Sequence, residues 1–241
     1  MEDDWIDPRD RVPGWREPPR PARAAISGRY VSLEPLTPAR HAAGLFTAFD
    51  GHGALWRFLP YGPFATAAEH RTWLEAAAAS DDPLFFAICD GGRAVGLLSF
   101  LRIAPEAGSI EVGHICLSPA LQRTRGATEA IVLTVTWAFE AGYRRFEWKC
   151  DAANRASRSA AERFGFSFEG VFRQAAVVKG RNRDTAWFAA IDAEWPRLRA
   201  AYDTWLDPAN FDGGGTQERS LSTLTRDILA ARDPAREGDG H

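Results

Sequence analysis

The stretch 117–131 reads LSPALQRTRGATEAI. A proline-bearing turn leads into Gln122, Arg123, Thr124 and Arg125, then Gly126 and Ala127, after which the chain turns apolar at helical spacing. The first turn of a helix leaves backbone N–H groups without intrahelical partners, and the helix dipole adds positive potential there. A basic loop at a helix start therefore suits an anion such as a phosphate. An ordinary surface loop capped by Thr128 would look the same in isolation. Two further groups could do chemistry. Glu111 and His114 lie in SIEVGHICL (109–117), and their odd spacing on a strand predicts that they face opposite sides of a sheet. Asn154 opens a helical run with Ser157 three residues later. That spacing makes Asn154 an N-cap and puts Ser157, Ala161 and Phe164 on one helix face.

These residues need elements to hold them. RYVSLEPL (29–36) alternates and reads as a first strand. Thr37-Pro38 has the form of a cap and first-turn proline, predicting a helix near 38–49. The aromatic segment LWRFLPYGPFAT (55–66), broken by Pro and Gly, precedes a helix over 67–79. LFFAICD and RAVGLLSFLRI flank Gly91-Gly92, a hairpin signal, and 109–117 is the next strand. A helix over 126–141 is apolar nearly all round and so should be buried, with Gly142 where a left-handed residue ends it. A strand (143–151), a short helix (155–164), a hairpin turning across 179–183 and a helix (193–206) complete the pattern. The order βααβββαβαββ is that of a single α+β or mixed α/β domain. It divides the chain into a Pro-rich N-terminal extension (1–27), the domain (28–207) and a polar, flexible tail (208–241). Trp5 and Trp15 are expected to dock the extension onto the domain.

Composition limits the function. With 241 residues, 45% hydrophobic content and nine tryptophans, the chain can build a sizeable core. A formal net charge of −3 argues against a general nucleic-acid binder. Cys89, Cys116 and Cys150 lie in apolar, strand-like runs with no CxxC pair, which predicts neither disulfides nor a metal site. The N-terminus mixes charge with proline and lacks the apolar region of a signal peptide, and 126–141 is too short to span a bilayer. A cytoplasmic protein without membrane or nucleic-acid partners, monomeric or homodimeric, is expected.

The succession of strand, Q-x-x-x-x-A loop, apolar helix, strand, Asn-led helix and Gly165-Phe166 resembles the GNAT acyltransferases, which use acetyl-CoA. It looks closest to the branch containing the RimJ/RimL-type N-terminal acetyltransferases; ATEA after the loop and FEGVFR after Gly165-Phe166 add to that likeness. The resemblance covers roughly residues 28–192. It implies a mixed, mostly antiparallel central sheet flanked by helices and splayed at the acetyl-CoA site. Backbone N–H groups of Gln122, Arg123, Thr124, Arg125, Gly126 and Ala127 would bind the CoA pyrophosphate, with Asn154 nearby and the pantetheine alongside Ile115, Cys116 and Leu117. The family usually has glycine where Arg125 stands, so Arg125 fits only if its backbone is not left-handed.

The tyrosine general acid that many members place seven residues after the asparagine is Ala161 here. The RimJ/RimL-like branch has a serine three after it, and Ser157 matches; a purely structural first-turn serine is the alternative. For the base, the resemblance favours Glu111 over His114, with a water relay also open. Cys150 is read as core. The segment carrying Trp56, Phe58, Tyr61 and Phe64 corresponds to a substrate wall, opposite Trp148. With Lys179, Arg181 and Arg183 as a basic rim, it would suit an amine whose molecule also bears a carboxylate or phosphate. The expected activity is acetyl-CoA-dependent N-acetylation of a small-molecule amine or a protein or peptide N-terminus. The competing reading is a non-catalytic CoA-binding module that keeps the fold.

Overall fold

The structure, a computed structural model, describes residues 11–236. Eight strands form one sheet: β1 (Ile26–Ser27), β2 (Ser32–Pro35), β3 (Leu84–Asp90), β4 (Arg93–Ala104), β5 (Ser109–Leu117), β6 (Arg145–Asp151), β7 (Ser167–Val178) and β8 (Arg181–Ile191). Their order is β1-β2-β3-β4-β5-β6-β8-β7. Neighbours are antiparallel except β5 and β6, which run parallel. A parallel pair needs a crossover, and the buried helix α3 (Arg125–Glu140) supplies it.

Helices cover both faces. On one lie α1 (Pro38–Phe49) and α2 (Ala67–Ala79); on the other lie α3, α4 (Arg155–Arg163), α5 (Trp195–Leu206) and α6 (Leu221–Thr225). Strand β3 shows why both faces must be covered. Phe86 and Ile88 enter the α3 core, while Phe85, Ala87 and Cys89 enter the α1–α2 core, so the strand reads as a continuous apolar run. Local signals behave as their chemistry dictates. Pro38 opens α1 behind Thr37, Gly91 and Gly92 turn the β3–β4 hairpin with φ of +54° and +79°, and Gly142 takes φ +99° behind α3. The β7–β8 turn is tighter than 179–183, because Lys179 and Gly180 both adopt positive φ.

Residues 11–27 of the N-terminal extension lie along the domain. Arg20 Nη1 donates to the Ile103 carbonyl (3.0 Å), and Tyr143 donates its hydroxyl proton to the Pro19 carbonyl (3.1 Å). Trp15 packs so closely on Gly108 that a Cβ there would sit 2.4 Å from its ring, with Arg144 over the indole. Trp5 lies outside the described residues. Residues 208–236 differ from the flexible tail expected of them. Leu221 and Ile228 enter the main core, and the fully buried Asp233 pairs with Arg158 of α4. A few well-placed apolar residues and one ion pair anchor a segment whose composition is otherwise polar.

Candidate active site

Pairing between β5 and β6 runs from Ser109–Arg145 to Val112–Trp148 and stops. Both strands continue, to Leu117 and Asp151, so from Gly113 onward the β5 edge has no β6 partner. The gap opens into a groove of about 890 Å³ beside the start of α3. Ile115, Cys116 and Leu117 line one wall, and Asn154 and Ser157 of α4 another. Gln122, Arg123, Thr124, Arg125 and Ala127 close the end nearest α3.

The loop at that end is built by its own side chains. Thr124, not Thr128, is the N-cap: its Oγ1 accepts the Ala127 N–H at 3.1 Å. Gln122 Nε2 donates to the Leu117 carbonyl at 2.9 Å, bracing the loop against the strand end. The left-handed residue is Arg123, with φ +62°, while Arg125 is the first residue of α3 and needs no glycine. The Arg125 guanidinium lies 3.9 Å from the centroid of Phe211. Gly126 does not line the groove. A Cβ there would meet Val31 Cγ1 at 2.7 Å, so this glycine lets α3 approach the sheet.

Asn154 and Ser157 combine capping with exposure to the groove. Asn154 Oδ1 accepts the Ser157 N–H at 3.2 Å. Ser157 Oγ accepts the Trp148 indole N–H at 3.0 Å, which orients the hydroxyl. The Cys150 thiol beside it, pushed up to about 11 by burial, stays protonated and is no nucleophile.

Glu111 and His114 do not face opposite sides of the sheet. The β4–β5 register slips between Leu97–Cys116 and Ser99–Gly113, and His114 takes φ +52°. This bulge re-aims the chain, so both side chains line a second cavity of about 270 Å³ that shares Trp148, Asn154 and Ser157 with the groove. Glu111 is 2% exposed. Its Oε2 takes Arg102 Nη1 at 2.7 Å and Lys149 Nζ at 3.0 Å, leaving Oε1 beside Gly113. Burial raises its pKa despite the two cations, which pull the other way. His114 Nδ1 hydrogen-bonds the Tyr61 hydroxyl at 3.0 Å and the rings stack. Burial, then the charges of Arg102 and Arg183, hold His114 down at about 4, so it is neutral at pH 7 and a weak base.

Of the expected acceptor wall, Phe58 and Trp148 line the cavity, whereas Trp56, Tyr61 and Phe64 do not. Trp56 and Phe64 pack with Phe49, His70 and Trp73 in an aromatic core beneath the groove, and Tyr61 is tied to His114. Leu55, Phe58, Leu59 and Pro60 of the same segment face the cavity, opposite Trp148. The large rings reach inward because that side of the sheet offers the deeper apolar burial. Of the basic rim, Arg183 lines the cavity. Lys179 instead donates from Nζ to the Trp56 carbonyl at 2.8 Å, pinning the β7–β8 hairpin to the aromatic segment. Sequence reasoning missed Arg102 in the cavity, and Arg163, Trp205, Phe211 and Gln217 along the groove. The last three follow the resembling segment, where no motif flagged them.

One cluster among the described residues, Glu34, His41 and Cys89, is spaced for a metal ion. The Thr37 N–H donates to His41 Nδ1 at 3.1 Å, which leaves Nε2 as the nitrogen that donates to Glu34 at 3.2 Å. The geometry is that of a hydrogen-bonded core group.

The sheet thus parts between two parallel strands, with a helix N-terminus at one end of the gap, Ser157 along it and Glu111 in the adjoining cavity. A family model for the acetyltransferase (GNAT) domain matches residues 31–167, and the chain belongs to that family. It is similar to a GCN5-related N-acetyltransferase from Brucella melitensis, with 47% identity and a TM-score of 0.87 over 89% of this chain and 100% of that one. A GNAT-family protein from Chromobacterium violaceum ATCC 12472 shows 48% identity and a TM-score of 0.74 over 77% of this chain and 94% of that one. RimL, the ribosomal L7/L12 alpha-N-protein acetyltransferase, shares the fold at 23% identity, with a TM-score of 0.62 over 70% of this chain and 94% of its own. A search of curated proteins returned no match. The protein is thus an N-acetyltransferase by family. Among the described residues, no helix is long and apolar enough to cross a membrane.

Proposed function

We propose that the protein transfers the acetyl group of acetyl-CoA directly to a primary amine, within the RimJ/RimL-like branch and in the cytoplasm. The observation that carries this reading is the unpaired β5 edge from Gly113 to Leu117, flanked by Glu111 on one side and Ser157 on the other. Acetyl-CoA supplies an acetyl group activated as a thioester. The first-turn N–H groups of α3, with Arg123 and Arg125 beside them, hold the pyrophosphate. Backbone N–H donors on the free β5 edge stabilise the charge that grows on the acyl oxygen, at no cost of reorganisation.

Glu111 Oε1 takes the amine's proton, directly or through one water. Burial makes this carboxylate a better base than an exposed one, while Arg102 and Lys149 fix it through Oε2. The C–N bond forms as the C–S bond breaks, and the Ser157 hydroxyl protonates the departing sulfur. Ser157 Oγ accepts the Trp148 indole N–H, so its own proton is the one left to donate, with the Cys150 sulfur as its neighbour in the resting site. The proton held by Glu111 then passes through water to the serine alkoxide, which resets both groups.

The test is thiol release with acetyl-CoA against a panel of amines and N-terminal peptides, paired with thermal melting. Binding at a hundredfold excess over Kd stabilises by about 2.7 kcal/mol. A protein that neither melts later with acetyl-CoA nor releases thiol with any amine would refute the proposal.

A further inference from the structure

The acceptor cavity is lined by three cations, Arg102, Lys149 and Arg183, and two carboxylates, Glu111 and Asp151. Four of these groups are engaged. Arg102 and Lys149 share Glu111, Lys149 also reaches Glu147 at 2.6 Å, and Asp151 accepts the Ala153 N–H. The Arg183 side chain makes no hydrogen bond or ion pair among the described residues, and its Nε is shielded from solvent without a partner. A guanidinium cannot shed its charge, and an unmet buried N–H is costly. Such a group persists where something outside the chain completes it.

Its position is fixed by the fold. Arg183 pairs with Ala176 beyond a β7 irregularity between Phe172 and Ala176. The hairpin that carries it is pinned to the aromatic segment through Lys179. It lines one cavity with His114 and with Glu111, the candidate base. A cavity of about 270 Å³ admits a small molecule or a chain end, not a folded surface.

We propose that Arg183 docks an anionic group, a carboxylate or a phosphate, carried by the amine that the enzyme acetylates. The proposal rests on the acetyl-transfer reading above. The planar fork of Arg183 binds either oxyanion through two parallel N–H donors. The amine at the other end of the same molecule then faces Glu111. One positive and one negative anchor orient the acceptor, and the basic rim selects against purely cationic amines.

The experiment uses matched pairs: phosphoethanolamine with ethanolamine, and glutamate and β-alanine with their amides. Each is tested with the full chain for thiol release, and for a melting shift in saturating CoA. The wild type is expected to favour the anionic member by about 10- to 100-fold in kcat/KM, mostly through KM. Arg183→Gln should bring that ratio close to one without changing the KM for acetyl-CoA, and Arg183→Lys should restore part of it. Equal treatment of both members by the wild type, in binding and turnover, overturns the proposal. So does a preference that survives in Arg183→Gln. Absence of thiol release from every amine sinks the acetyl-transfer reading alone, since the melting shifts still decide whether Arg183 holds an anion.

Discussion

Glu129 offers a quantitative check on how helix α3 is held. This carboxylate sits on α3, 4% exposed, and accepts three backbone N–H groups from the turn before β2: Arg29 at 2.7 Å, Tyr30 at 2.6 Å and Val31 at 2.9 Å. The turn is built around it, for a Cβ on Gly28 would lie 2.4 Å from its carboxyl carbon. A hydrogen bond to a charged group contributes roughly 1.5–3 kcal/mol, but three sharing one carboxylate do not add fully. Arg29 is exposed and can turn to water, whereas Val31 is buried and cannot. Glu129→Ala should therefore cost about 3–5 kcal/mol. For a domain of this size each kcal/mol lowers Tm by about 2–4 °C, so a drop near 10 °C is expected in a thermal melt. Glu129→Gln keeps one acceptor oxygen but turns an amide N–H₂ toward a backbone donor, and should fall between. An alanine variant melting within about 2 °C of wild type would show that the turn does not depend on this carboxylate.

Three shorter expectations follow from the same geometry. Ser157→Ala should lower the single-turnover rate by about 10²-fold, the low end for a general acid, with acetyl-CoA affinity unchanged; a wild-type rate would leave water as the acid. His70 and His114 are both held down at about 4 by burial, so the unfolded chain binds their protons first as pH falls. Stability is thus full above pH 6.5 and is lost between pH 6.5 and 4, by up to about 3 kcal/mol per histidine; urea midpoints at pH 7 and 5 measure it, and a His70→Leu variant with an undiminished slope would contradict it. Phe211→Ala, which strips the ring from Arg125 at the far end of the groove, should weaken acetyl-CoA several-fold but leave acetyl-pantetheine, which lacks the nucleotide, unaffected; equal losses for both would point to a general collapse of the groove.

Periodicity and capping chemistry act over a few residues, and the elements they govern were legible. Helices α1 and α2 start and stop where Thr37-Pro38 and the alanine-rich run imply. The groove's strand and loop residues were legible too, because the Q-x-x-x-x-A loop, Asn154 and Ser157 sit at fixed spacings from helix starts. What escaped depends on register. Nothing local marks His114 for φ +52°, so alternation put it on the wrong side of the sheet from Glu111. Trp56, Tyr61 and Phe64 were equally suited to a core or a groove wall, and only the packing of His70 and Trp73 against them decides for the core. Gly126 matters, but for the nearness of Val31 rather than of a phosphate. The tail's polarity concealed Leu221, Ile228 and Asp233, three residues whose partners lie far off in sequence.

The late residues on the groove bear on how the protein comes into being. The unpaired strand edge ends at Leu117, yet Trp205, Phe211 and Gln217 complete the wall. Ribosomes add roughly 5–20 residues per second, so about 5–20 s separate synthesis of the first part of the binding surface from the last. During that interval a nascent chain presents the loop before α3 without the aromatic and polar groups that complete the groove. A ribosome stalled between these positions would display a groove whose last wall is still missing.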